Sequence, residues 1–177
     1  MGKRMSDWTH LIRLGELARG PIEVRLAPDE AVRAVLAKEL LLESLPALVA
    51  DLRVRPWLDG AEVTGRFTAT VGQICGISLD PFERQVTGEI ALQMVPAGSP
   101  NAYGESEGGE LALDLESPDP PDVLEGDDID LAHILVEHLA LEIDPFPRKP
   151  GVEFNYAPDT PEESPFAVLK ALKKDGE

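Results

Sequence analysis

The chain has 177 residues, 43% of them hydrophobic, with 16 Lys+Arg against 33 Asp+Glu for a formal charge of −17. That length and apolar content suit one domain with a real core and exclude wholesale disorder, while so large an acidic excess excludes indiscriminate binding to phosphate backbones. A single cysteine excludes an internal disulfide and an all-cysteine zinc site, and no apolar run approaches the roughly 18 residues of a membrane span. The first eight residues lack the apolar stretch of a secretory signal, so the expectation is a soluble cytoplasmic protein without a membrane partner.

Period-two alternation predicts the strands. Trp8, His10, Ile12 and Leu14 share one face of a first strand, and Ile22, Val24 and Leu26 alternate with Glu23 and Arg25 in a second. Pro28-Asp29-Glu30 then opens a helix, with proline near N1, acids in the first turn, and Val32, Val35, Leu36 and Leu40 as its apolar face. Leu48, Ala50, Leu52 and Val54 form the third strand; Val63, Phe67, Ala69 and Val71 the fourth. Asp59-Gly60 between them is a hairpin signal. Val86, Ile90, Leu92 and Met94 mark a fifth strand, and Leu111, Leu113 and Leu115 a sixth.

Residues 97–109 and 116–128 read as Gly/Pro/acid-rich loops, mobile over 99–109 and 116–128 because they offer too little apolar area to offset ordering. A second helix follows Asp127-Asp128 and runs to about Ile143, with Leu131, Ile134, Leu135, His138, Leu139 and Leu141 as its stripe. Asp144-Pro145-Phe146-Pro147 stops it. A Pro-punctuated linker over 147–163 leads to a third helix, Ser164–Lys174. The predicted class is α+β: a curved, mainly antiparallel sheet or small open barrel of about six strands with two or three helices. It would form one domain over 1–177, with an acidic loop region at 97–128 and a C-terminal linker plus helix at 147–177.

Charge is distributed unevenly. Residues 1–84 hold 11 basic and 12 acidic side chains, and 148–177 hold 5 and 6, whereas 85–147 hold 15 acidic ones and no Lys or Arg. Two readings of that stretch stand side by side: a solvated loop that keeps the protein soluble, or a docking surface for a basic partner through Asp119, Asp122, Glu125, Asp127 and Asp128. Arg25, Arg53, Arg55 and Arg66 fall on polar strand faces. If the strands pair, they either form a basic patch suited to RNA contact or pair with Glu23 and Asp51 across the sheet.

Catalytic signatures are missing. His133 and His138 are five residues apart, about 140° around a helix, so they do not share a face as zinc-protease histidines do. They read as one surface and one interfacial histidine. Cys75 has no cation within three residues and reads as a small core or turn cysteine. The Gly126–Asp130 stretch lacks the order of a calcium loop, and its aspartates read as helix N-terminal acids. No catalytic, cofactor-binding or metal residue and no small-molecule substrate is assigned.

Three stretches carry a resemblance. They are Val71-Gly72-Gln73-Ile74-Cys75-Gly76-Ile77-Ser78-Leu79-Asp80-Pro81-Phe82; the acidic segment leading into Ile129-Asp130-Leu131-Ala132 with Glu137, Leu139, Ala140, Leu141 and Asp144-Pro145; and Ser164-Pro165-Phe166-Ala167-Val168-Leu169 with Leu172-Lys173. In order and spacing they resemble the bacterial YceD family over residues 8–174. The resemblance implies a non-catalytic ribosome-biogenesis factor that supports accumulation of large-subunit (23S) ribosomal RNA. A basic ribosomal protein or assembly factor would be its partner, ribosomal RNA a candidate contact, and no cofactor would be needed. Many members carry Cys-x-Arg-Cys-Leu in the hairpin, where this chain has Cys75-Gly76-Ile77-Ser78-Leu79, so neither the second thiol nor the arginine is available. The alternative is a small metal-dependent or hydrolytic enzyme using the acidic segment or Cys75.

Overall fold

The computed structural model describes residues 8–102 and 120–154. In chain order it contains β1 (Leu11–Arg13), a 3-10 helix (Leu14–Arg19), β2 (Ile22–Leu26), α1 (Glu30–Glu39), β3 (Ser44–Trp57), β4 (Gly60–Ile74), β5 (Pro81–Pro96), β6 (Asp122–Leu124), β7 (Asp128–Asp130) and α2 (Leu131–Glu142). The fold is α+β, as the alternation implied. The main sheet has the order β2-β3-β4-β5-β6 and is open, with β2 and β6 at its edges, rather than closed into a barrel. β2 to β5 pair antiparallel. β6 runs parallel to β5, with Met94 opposite Asp122 and Pro96 opposite Leu124. β1 and β7 make a separate two-stranded sheet in which Leu11 faces Asp130.

The three long strands, β3 to β5, grow from the predicted alternation and extend it at both ends. Pro46 sits where the β3–β4 register shifts between Ser44 and Ala47, the kind of irregularity that tolerates a residue without an amide hydrogen. At the other end of the hairpin the turn residues are Leu58 and Asp59, one position earlier than Asp59-Gly60 suggests. Leu58 takes the positive φ of 50°. Gly60 is already paired with Trp57 and lies so close to the Met94 carbonyl that a side chain would not fit.

One sheet face is covered by the helices, with α1 and the 3-10 helix against β3 and α2 against β5. Leu48, Leu52, Val54, Val63, Phe67, Val71 and Ile90 of the sheet are buried with Leu17, Leu36, Ile129, Leu131, Leu135 and Leu139. The Phe67 ring lies over Gly88 on the neighbouring strand, in the space a Cβ there would take. Burying such side chains is worth roughly 1.5–3 kcal/mol each before ordering costs.

Several local expectations shift. The first strand is Leu11–Arg13, and Leu14 begins a 3-10 helix whose start is braced by the Arg13 amide donating to Glu16 Oε1 at 3.1 Å. Pro28 precedes the cap of α1. Asp29 is the cap and accepts from the Val32 amide at 2.9 Å. Val35 and Leu141, assigned to apolar stripes, are 48% and 81% exposed. Within the predicted loop 116–128, residues 122–124 form β6. The predicted strand at 111–115 and helix at 164–174, and the loop residues 103–119, lie outside the described residues. No helix among the described residues is long and apolar enough to cross a membrane.

Candidate functional site

Register decides what the arginines can do. Arg25, Arg53, Arg55 and Arg66 do share the exposed sheet face, but each stands opposite an acid. Arg25 faces Asp51, Arg53 faces Glu23, Arg55 faces Glu62, and Arg66 faces Asp51 on one side and Glu89 on the other. The Arg25 guanidinium lies 3.1 Å from Asp51 Oδ1. Arg55 donates through Nε to Glu62, whose other oxygen accepts from Gln93 Nε2 at 3.3 Å. Glu62 is only 8% exposed. The Arg55 hydrogen bond, with smaller help from Gln93, holds its carboxyl below the ordinary 4.5 against the opposing effect of burial. The same partner raises the Arg55 pKa. Arg53 and Arg66 have no ion pair among the described residues. The face is a charge-alternating lattice rather than a continuous basic patch.

The acidic segment behaves differently. Asp119 lies outside the described residues. Asp122 opens β6, Glu125 and Asp127 occupy the turn that follows, and Asp128 opens β7; all four are exposed. Asp128 makes an exposed ion pair with Arg13 at 3.5 Å, and the Asp127 carbonyl accepts from the Leu14 amide at 2.9 Å. Neither caps α2. That part falls to Asp130, whose Oδ1 accepts from Ala132 N at 3.1 Å and His133 N at 3.4 Å, and also from His10 N at 3.0 Å. Asp130 thus ties the N-terminal strand to the start of α2. Asp122, Glu125 and Asp127 form no ion pair among the described residues.

Between β6, β7 and the first turns of α2 lies a groove of about 540 Å³. Asp122, Glu125 and Glu137 stand on its walls, and Leu11, Val123 and Ile134 contribute apolar surface. No described lysine or arginine is among its lining residues. His133 lies 3.1 Å from Glu137 one turn on, while His138 turns its Nδ1 to the Ile134 carbonyl at 2.9 Å. One histidine is therefore at the surface and the other at the packed face. The groove was invisible in sequence, because its walls come from residues 8–11, 92–94, 122–130 and 133–137 and are joined by the β1–β7 and β5–β6 pairings.

Cys75 begins the β4–β5 turn and is fully buried. Its Sγ accepts from the Lys149 amide at 3.3 Å and the Ser78 amide at 3.5 Å. These bonds, the Lys149 amide foremost, outweigh desolvation and hold the thiol down to about 6. A search for cations within three residues could not find this, since the main donor is 74 positions away. The same loop is clamped by Gly76 N to Pro147 O at 2.9 Å, Gln73 Nε2 to Asp144 O at 2.9 Å, and Lys149 to Asp80 at 3.6 Å.

A family model described as large ribosomal RNA subunit accumulation protein YceD matches residues 63–173, well over half of the chain. The match takes in most of β4 and everything through α2, and with them the acids of 119–130 and Arg66; Arg25, Arg53 and Arg55 precede it. No significant match was found among curated proteins or among solved structures.

Proposed function

The chain belongs to the YceD family of large ribosomal RNA subunit accumulation proteins, and from that premise we propose a cytoplasmic, non-catalytic ribosome-biogenesis factor that binds a basic ribosomal protein or assembly intermediate. Asp119, Asp122, Glu125, Asp127 and Asp128 form the docking surface. The observation that carries this reading is the contrast in pairing: Asp51 and Glu62 of the sheet face are matched by arginines, whereas Asp122, Glu125 and Asp127 stand exposed with no ion pair among the described residues. Unpaired acids attract and steer a Lys/Arg-rich protein and repel phosphate.

RNA contact has a smaller part. It would fall to Arg53 and Arg66, since Arg25 and Arg55 are held by Asp51 and Glu62. The enzyme reading has one observation in its favour, the lowered thiol of Cys75, but that sulfur is sealed from solvent.

Changing the five acids to amides should weaken recovery of basic ribosomal proteins from large-subunit precursors by about tenfold or more, with RNA contact equal or stronger. Changing Arg53 and Arg66 to Gln should leave protein recovery intact. Normal ribosomal RNA accumulation in cells carrying the amide variant, at unchanged protein level, would remove the acidic surface from the mechanism.

A further inference from the structure

We propose that the groove between α2 and β6 takes one extended segment of a basic partner, in which lysine or arginine alternates with apolar residues. The inference rests on reading the acidic surface as a protein-docking site and adds to it the form of what docks.

The shape argues for an extended chain. Asp122, Val123 and Leu124 all line the groove, although successive strand residues point to opposite faces. Leu92 and Met94 of β5 line it as well, so the groove runs from the helix-covered side of β5 out to the edge of β6. β6 pairs with β5 on one side, and no described strand pairs with its other side. Such an edge presents unpaired backbone groups that an added strand can meet. The volume of about 540 Å³ falls within the roughly 300–1,000 Å³ of sites that enclose a small ligand. It suits a few residues of chain and not the face of a folded domain.

The chemistry argues for alternation. Leu11 and Val123 are 54% and 53% exposed, and both face the groove. Asp122 and Glu125 stand beside them, and Trp8 contributes its half-buried ring. Leucine or valine side chains of the partner would cover Leu11 and Val123. Lysine or arginine would lay its aliphatic stem along the same apolar strip and reach the carboxylates with its charged end. An indole face also attracts such cations. Nucleic acid and acidic peptides are repelled by the same lining.

The test uses the full chain carrying Trp57→Phe, so that Trp8 is its one tryptophan. It is titrated with two synthetic peptides of equal length and charge, one alternating lysine with leucine and the other lysine with glycine. The leucine peptide should bind at least about tenfold tighter, a difference of about 1.4 kcal/mol, and should alter Trp8 emission. Leu11→Gln with Val123→Gln should remove that advantage and leave the glycine peptide unaffected. Equal binding of the two peptides would overturn the groove and leave the acidic docking surface standing. An advantage that survives the double substitution would also overturn it. Binding of neither peptide would remove both readings. If the double variant melts at a lower temperature, Trp8 decides: emission unchanged by the leucine peptide overturns the groove.

Discussion

On the outer face of β2 to β5, arginines stand across from carboxylates at strand spacing; around β6 and β7, carboxylates line a groove to which no described lysine or arginine contributes. Both surfaces are built from exposed charged side chains. They differ in how far the described charges meet an opposite on a neighbouring strand. On the sheet the antiparallel register sets a counter-charge on the neighbouring strand, and Arg25 and Arg55 meet theirs. At the groove the strands are three residues long and come from a segment with no basic residue; Asp128 meets Arg13, while Asp122, Glu125 and Asp127 meet no described lysine or arginine and leave their field open. The sheet charges should thus govern stability, and the groove charges association.

The largest expected effect breaks both surfaces at once. Phe67 is 2% exposed and fills the space over Gly88. Phe67→Ala should cost about 3–5 kcal/mol in chemical denaturation. A loss below about 1 kcal/mol would mean that the sheet packs differently.

Asp130→Ala separates the two. It removes the cap of α2 and the anchor of His10, and should cost about 1–2 kcal/mol. Hydrogen exchange should speed up in β1, β7 and the first turn of α2, while β3 and β4 amides keep their protection. Uniform loss of protection would show that the groove is not a separable part.

Glu62→Gln tests the sheet face. At neutral pH it should cost about 1–2 kcal/mol, because a charged hydrogen-bond partner of Arg55 is lost, and binding of a basic partner should not change. A carboxyl whose pKa is lowered by folding stabilises fully above its ordinary value and stops doing so as pH falls through the lowered one. The gap between wild type and variant should therefore be widest at pH 7 and close as pH falls below 4.5. A gap that widens in acid would contradict the assigned pairing.

Arg25→Gln is the smallest. Its ion pair with Asp51 is 68% and 63% exposed, so the loss should be at most about 0.5 kcal/mol and should vanish in roughly 1 M salt.

The long strands, α1 and α2 were legible because their periodicity runs over many residues. Val63, Phe67, Ala69 and Val71 point inward wherever the strand is placed. What escaped was short or distant. Three residues such as Asp122–Leu124 carry no measurable period, and nothing local distinguishes a parallel partner for them. Leu14 continues the alternation of Trp8, His10 and Ile12, yet the Glu16 carboxylate braces a 3-10 turn there instead. The charge lattice was half visible: Asp51 and Glu23 were recognised as candidate partners, but Glu62 and Glu89 needed the β4 register. Of the candidate site, the acids were plain from composition, while Leu11, Val123 and Trp8 were hidden among ordinary apolar positions.

The hydrogen bond from His10 to Asp130 spans 120 positions. A chain made from its N-terminus can form the hairpins of β3 to β5 from neighbours in sequence, but β1 has no partner until residues 128–130 have emerged. The groove thus closes late in synthesis, after the hairpins of β3 to β5 and before residues 144–149 clamp the Cys75 loop. Because closure entropy grows only by about 0.6 kcal/mol for each doubling of the loop, the delay bears on timing far more than on final stability. A chain interrupted before residue 128 would keep the arginine-bearing hairpins and have no place for a partner to dock.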